Sequence, residues 1–252
     1  MRCKNFVFEE LAERARDPKE KALYQYMKLH HLVMGMERPT VLEFGVSKGL
    51  STCLIGTALE TVGGRLVSVD ILDYSDVIDS DQWTFVQGDD LDVDRILAAA
   101  PVLEDGVDLL YLDSRHTREH VTAQLLAWYP YVKPGGAIAF DDIDPAPYQF
   151  QQRKQDYRLA RDCEAIAQAI REFFFANEDS LLLEYHFGST GLAIMRKFSP
   201  LRTAATLPRR PAPWPLRFVL KGRLDSLLHA LRDGVSVSRR RQAARRAGRG
   251  TS

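Results

Sequence analysis

Apolar and polar positions follow two alternating periods through the middle of the chain. Short apolar runs recur at Thr40–Phe44, Arg65–Asp70, Trp83–Gln87, Val107–Leu112 and Ala137–Phe140. Their length and continuity suit parallel strands covered on both faces. Stretches of helical period lie between or after them, at about 50–62, 92–99, 118–131 and 160–175. The first of these stops at Gly63-Gly64, as helices stop at glycine. Leu181–Phe187 and Gly191–Phe198 then read as a closing strand pair. Strand–helix alternation of this kind predicts an α/β fold, a doubly wound sheet of seven strands with helices on both faces and the last strand antiparallel. Ahead of it, residues 5–36 read as two helices broken at Asp17-Pro18, the second with Leu23, Met27, Leu32 and Met34 on apolar faces. Residues 145–158 form a loop long enough for a lid or a substrate wall. The pattern divides the chain into a helical cap (1–39), a sheet domain (40–198) and a tail (199–252).

The chemistry-bearing residues gather where strands end. Val41 to Thr52 is a strand, a Gly-containing turn and the start of a helix. Gly45 leaves the strand tip without a Cβ, and Gly49 allows close approach to the backbone. The free N–H groups of Leu50, Ser51 and Thr52 would face an anionic group, and Glu43 at the strand tip suits an ammonium. The amino-acid end of S-adenosylmethionine carries both charges. Glu43-x-Gly45-x-x-x-Gly49 has the wrong spacing for the dinucleotide fingerprint, and Lys48 precedes its glycine instead of following it as in a P-loop. Asp70 closes the second strand, where a ribose hydroxyl pair is held in βαβ units.

Glu43-Phe-Gly-Val-Ser-Lys-Gly49 resembles the first motif of class I S-adenosylmethionine-dependent methyltransferases, and Pro134-Gly135-Gly136 before the fifth strand is a frequent feature of that class. The resemblance implies that Gly45, Ser47 and Gly49 lie near the amino-acid end of the cofactor. It also implies that the third loop lies against the adenine, with Asp89 or Asp90 accepting from its amino group. Helices before the first strand often cover part of the cleft in such enzymes.

Asp113, Asp141 and Asp142 follow the fourth and fifth strands, beside the point where strand order reverses. Converging carboxylates repel one another unless compensated, and a hard divalent cation such as Mg²⁺ would compensate them. Asp113-x-x-His116 and Phe140-Asp-Asp-Ile143 resemble the metal-dependent O-methyltransferases of the catechol type and their sugar- and antibiotic-modifying relatives. The catechol-type enzymes carry Lys where this chain has His116. The sugar-modifying relatives often carry an acidic residue where Arg115 stands. The resemblance covers residues 38–197 and implies Asp113, Asp141 and Asp142 as metal ligands. Asp113 and His116 are the expected catalytic pair, with His116 removing the proton of an acceptor hydroxyl. The expected acceptor is a small molecule or a glycan.

Charge adds an asymmetry. Residues 1–197 hold 21 Lys/Arg against 32 Asp/Glu, and residues 198–252 hold 13 against 2. The acidic body disfavours a phosphate backbone as partner. The tail leaves RNA methylation open, as it does a non-catalytic binding protein on the same fold. Pro208–Pro215 reads as an extended linker. Leu216, Leu220, Leu224, Leu227, Leu228 and Leu231 recur at helical spacing among Arg217, Lys221, Arg223 and Arg232, a basic amphipathic helix suited to an anionic membrane surface, to the body or to a second copy. Arg239–Ser252 reads as disordered. Cys3, Cys53 and Cys163 are widely spaced, which points to reduced thiols in a cytoplasmic protein. No leader or apolar span of about 18 residues is seen.

Overall fold

The computed structural model describes residues 1–208, 215–221 and 223–226. The expected linker at 209–214, the apolar positions Leu227, Leu228 and Leu231 and the stretch Arg239–Ser252 lie outside the described residues. The chain divides into two compact units, Met1–Arg209 and Arg210–Ser252. In the second, residues 216–221 and 223–226 are helical.

The first unit runs β1 (Arg2–Cys3), α1 (Phe8–Arg14), α2 (Lys21–Met34), β2 (Thr40–Phe44), α3 (Leu50–Val62), β3 (Arg65–Asp70), β4 (Ile78–Asp79), β5 (Trp83–Gln87), α4 (Val93–Ala99), β6 (Val107–Leu112), α5 (Arg118–Trp128), β7 (Val132–Asp141), α6 (Ala146–Gln149), α7 (Tyr157–Ala176), β8 (Leu181–His186) and β9 (Leu192–Lys197). Seven strands form one sheet in the order β5-β3-β2-β6-β7-β9-β8. All neighbours from β5 to β7 are parallel, and β9 runs antiparallel to both β7 and β8. The chain winds outward from β2 through β3 to β5, then returns to place β6 on the other side of β2. The order therefore reverses between β2 and β6, where a doubly wound sheet opens a crevice at its strand tips.

Apolar side chains cover both faces. Phe44, Leu110, Trp128, Ile138 and Phe173 pack on one side, and Leu29, Val41, Leu59, Leu109 and Ala139 on the other. All five residues of β2 are buried, Val41, Leu42 and Phe44 together with the polar Thr40 and Glu43.

Three features differ from the sequence reading. Lys133-Pro-Gly-Gly136 lies inside β7 and not in a separate turn. The register shifts there between Val107 and Leu109, which is where a sheet accommodates a proline without an N–H. The body also continues past residue 198: Arg202 N–H donates to Pro130 O, Thr206 N–H donates to Asn177 Oδ1, and Ala205 packs on the core. Finally, Cys3 and Cys53 form a disulfide, and the buried Cys163 is the free cysteine. The expectation of three reduced thiols is corrected by topology. β1 pairs antiparallel with β4, and this brings Cys3 against α3. Spacing along the sequence carries no trace of that approach.

Candidate active site

The turn after β2 is shaped by its neighbours. Gly45 has φ +88°, and a Cβ there would lie 2.1 Å from the carbonyl oxygen of Asp113. Glycine is required because the tip of β6 comes so close. Gly49 has φ +80°, and its Cβ would meet the side chain of Val77 at 2.8 Å. Ser47 also sits in the left-handed region, at φ +49°. Asp70 holds the turn from the tip of β3. Its Oδ2 accepts from the N–H of Val46 at 2.8 Å, and its Oδ1 accepts from the N–H of Leu72 at 3.0 Å.

Beside this turn lies a cavity of about 420 Å³. Of the residues expected to hold the cofactor, Gly45, Ser47, Asp70, Asp89 and Asp113 line it. Glu43, Gly49 and Ser51 do not. Glu43 is fully buried beneath the turn, where its Oε2 accepts from Thr52 Oγ1 at 2.8 Å and from Ser68 Oγ at 2.6 Å. Burial raises its pKa to about 7, against the pull of the Ser51, Ser68 and Thr52 hydroxyls. In this position Glu43 braces α3 and β3 from inside the fold.

The two acids of the third loop divide their work. Asp89 Oδ1 accepts from the N–H of Leu91 in a local turn. Asp90 is buried, and its Oδ2 accepts from Ser114 Oγ at 2.7 Å and Gln124 Nε2 at 2.8 Å, while His120 Nε2 lies 2.9 Å from its Oδ1. Trp128 Nε1 donates to the Asp90 carbonyl at 2.7 Å. Asp90, Ser114 and His120 also line the cavity. Asp90 was legible as an acid of the third loop, whereas His120, a bystander to His116 when read along the chain, has a partner from a distant loop.

Asp113, Asp141 and Asp142 come together at the tips of β6 and β7. Tyr111 Oη bridges two of them, donating to Asp113 Oδ2 at 3.1 Å and Asp141 Oδ2 at 3.3 Å. His116 spans the other pair, with Nε2 3.2 Å from Asp113 Oδ1 and Nδ1 3.4 Å from Asp142 Oδ2. Asp142 takes φ +56°, a conformation costing a non-glycine residue about 1 kcal/mol or more, and so turns out of the strand line toward His116. Burial, then the charges of Asp113 and Asp142, raise Asp141 well above the usual carboxylate range. Burial also raises Asp113, although His116 opposes it. For His116, burial acts downward but is outweighed by the hydrogen bond to Asp113 and the charges of Asp142, Asp113 and Asp141, leaving its pKa at about 8.

Two residues of α2 reach this cluster, and neither drew attention in the sequence. Gln25 Nε2 donates to Asp141 Oδ1 at 2.5 Å and to Gly191 O at 2.6 Å, and its Oε1 accepts from the N–H of Gly191 at 3.1 Å. Tyr26 faces the same carboxylate. Its phenol is raised above its ordinary range by burial and then by the charges of Asp141 and Asp113. A polar residue on the buried side of α2 is the available signal for Gln25. Among the described residues, no three His, Cys, Asp or Glu side chains stand ready as a metal shell. The carboxylate oxygens are occupied by Tyr111, Gln25 and His116 instead.

Residues 42–143 match the family described as a methyltransferase domain. No curated protein matches the chain. Solved structures with the same fold include MycE methyltransferase from the mycinamycin biosynthetic pathway in complex with Mg and SAH. It is 19% identical, with a TM-score of 0.50, over 84% of this chain and 58% of that one. The chain thus spans under two thirds of the length of MycE. CalS11, a TDP-rhamnose 3'-O-methyltransferase of calicheamicin biosynthesis, is 20% identical with a TM-score of 0.52, over 75% of this chain and 84% of that one. The SAH-bound methyltransferase PaMTH1 of Podospora anserina is 14% identical with a TM-score of 0.51, over 76% and 87%. Likeness at these identities is likeness of fold.

Proposed function

We propose that this chain, of which residues 42–143 match a methyltransferase domain, is an S-adenosylmethionine-dependent methyltransferase of class I that transfers the methyl group to a hydroxyl of a small molecule or glycan with the help of a hard divalent cation. The observation that carries the reading is the cluster of Asp113, Asp141 and Asp142 around His116, with Asp113 also lining the cavity beside the Gly45 turn. Acid cluster and cofactor cavity therefore share a wall.

The donor set suits the cation. Three carboxylates offer hard oxygens, and the burial and mutual repulsion that raise Asp113 and Asp141 are what a cation relieves. Asp113, Asp141 and Asp142 would hold it in exchange for their present partners, and Mg²⁺ is the natural choice. When bound, such a cation supplies the Lewis acidity that lowers the pKa of an acceptor hydroxyl. The Mg and SAH in the MycE structure agree with this reading.

The remaining work falls to side chains. In the cofactor cavity, Gly45 and Ser47 admit the amino-acid end, Asp70 stands at the ribose position and Asp89 or Asp90 at the adenine. Glu43, Gly49 and Ser51 keep the turn in shape. His116, in its neutral form, takes the acceptor proton, and Asp113 and Asp142 orient its two ring nitrogens. Alignment of the hydroxyl with the S–CH₃ bond supplies several kcal/mol more of the rate.

Labelled S-adenosylmethionine with a panel of glycosides, phenols and short RNAs, with and without EDTA, tests this reading. Asp141→Asn or Asp142→Asn is expected to weaken metal dependence and turnover while calorimetry finds S-adenosylhomocysteine binding unchanged. His116→Ala is expected to lower turnover by ~10²–10⁴-fold, the scale of a lost general base. Full activity in EDTA would remove the cation, and wild-type turnover in His116→Ala would remove the base.

A further inference from the structure

A second and larger cavity, of about 890 Å³, opens between the N-terminal helices and the end of β8. Its floor is apolar and aromatic, with Tyr24, Met27 and Phe187 among its lining residues. Its lining also carries the basic groups of Arg16, Lys21 and Lys28, the carboxylate of Asp17 and the imidazole of His186. Tyr24 and Phe187 are 57% and 77% exposed, so flat apolar surface faces the opening. Lys28 Nζ lies 5.1 Å from the centre of the Tyr24 ring. Among the described residues, neither Lys21 nor Lys28 has a carboxylate at ion-pair distance, while the nearby Arg14 and Arg16 are paired with Glu20 and Glu13. Burial and the charge of Lys28 lower the pKa of His186, against the charge of Glu184, whose Oε2 lies 3.8 Å from His186 Nε2, so His186 is a neutral imidazole beside the lysines. The two lysines without a carboxylate partner stand on a body with 21 Lys/Arg against 32 Asp/Glu.

Gln25 connects this cavity to the acid cluster. It lines the cavity and donates to Asp141 Oδ1 at 2.5 Å. Asp141 joins through Tyr111 Oη to Asp113, which lines the cofactor cavity. Each cavity is therefore lined by one member of this hydrogen-bonded group. On the methyltransferase reading, the smaller cavity belongs to the cofactor.

We propose that the larger cavity holds the body of the acceptor, and that this acceptor is an anion. A flat apolar part lies against Tyr24, Met27 and Phe187, a phosphate or carboxylate is held by Lys21 and Lys28, and the hydroxyl to be methylated points past Gln25 to Asp141. The assignment rests on the methyltransferase reading for the word acceptor, but binding of the anion does not. The two lysines supply charge-assisted hydrogen bonds, and the apolar side chains beside them exclude water.

Fluorescence titration with 8-anilinonaphthalene-1-sulfonate and its uncharged counterpart N-phenyl-1-naphthylamine tests the site on the full chain. The sulfonate is expected to bind with one-to-one stoichiometry. The Lys21→Glu/Lys28→Glu variant should bind it at least tenfold more weakly and bind the uncharged probe within about twofold of wild type, with S-adenosylhomocysteine affinity unchanged. The neutral Lys21→Gln/Lys28→Gln pair repeats the test should the charge reversal impair folding. Displacement by phenyl phosphate or by benzoate identifies which oxyanion is preferred. Equal sulfonate affinity in wild type and variants, or equal loss of both probes by a folded variant, would overturn the proposal. In the transfer assay, acceptors bearing phosphate or carboxylate should outperform their uncharged analogues through KM, and the variants should lose that preference. Transfer that favours uncharged acceptors equally in all proteins would sink this site and leave the methyltransferase reading intact. Absence of both transfer and S-adenosylhomocysteine binding would sink that reading, and with it the acceptor role of an anion site that the titration measures independently.

Discussion

A carboxylate without water depends on the hydroxyls around it to keep its charge. Glu43 is in that position, with Oε2 accepting from Thr52 and Ser68 while Oε1 lacks a partner among the described residues. Its folded pKa of about 7 exceeds the ordinary value of 4.5. Between those values the folded state binds more protons than the unfolded state, so stability falls as pH rises through the window and levels off above it. Glu43→Gln removes this dependence. Urea denaturation should find the variant gaining on wild type from pH 5 to pH 8, by up to about 3 kcal/mol at ~1.4 kcal/mol per pKa unit. Parallel pH profiles for the two proteins would show that Glu43 does not titrate in that range. The sequence marked Glu43 as the acid of the motif, but its partners depend on which side of β2 it faces and on what α3 and β3 bring there. Gly45 was legible as a glycine the turn needs. Its closest constraint, the carbonyl of Asp113, comes from a strand more than sixty residues away and was not.

At the scale of elements, long periodic segments were legible and short paired ones were not. β2, α3, β3, β5 and β6 fall where the apolar runs and the Gly63-Gly64 stop place them; β2, α3, β3 and β6 bury most of their own sequence, while the edge strand β5 buries Val86 alone. β1 and β4 have two residues each and no period to read. Their pairing nevertheless fastens the N-terminus: the disulfide joins Cys3 to Cys53, the Met1 ammonium pairs with Glu60 and Lys4 pairs with Asp76. A bridge across 50 residues removes loop entropy from the unfolded chain worth about 4 kcal/mol in the chain-entropy account. At roughly 2–4 °C per kcal/mol for a domain of this size, Cys3→Ser is expected to melt about 8–16 °C lower. Reductant should bring wild type down to the variant and leave the variant unmoved. A wild-type melting temperature insensitive to reductant would show that the bridge contributes nothing. The same economy of signal hid Gln25, one of several polar residues of α2, which ties that helix to β7 and to Gly191 just ahead of β9.

At the scale of the whole molecule, composition was legible where packing was not. The split between an acidic body and a basic tail follows from counting, whereas the contacts of Arg202, Ala205 and Thr206 that extend the body past residue 198 do not. The tail helix at 216–221 and 223–226 presents Leu216, Phe218, Val219, Leu220 and Leu224 as exposed side chains, among the cations Arg217, Lys221 and Arg223. No helix among the described residues is long and apolar enough to cross a membrane. Apolar residues and cations on one short helix suit binding in the plane of an anionic surface, where each basic residue contributes about 1 kcal/mol and apolar burial adds the rest. We therefore expect the full chain to float with vesicles containing phosphatidylglycerol and not with pure phosphatidylcholine, and to be released as salt rises. A chain ending at Pro208 keeps the contacts of Arg202 and Thr206 and should remain with the soluble fraction while binding S-adenosylhomocysteine as before. Leu216→Glu/Leu220→Glu in the full chain separates the helix from the charge of the remaining tail: it should abolish flotation at high and low salt alike. Equal partitioning of the full and shortened chains would remove the membrane and leave packing on the body or on a second copy as the role of this helix.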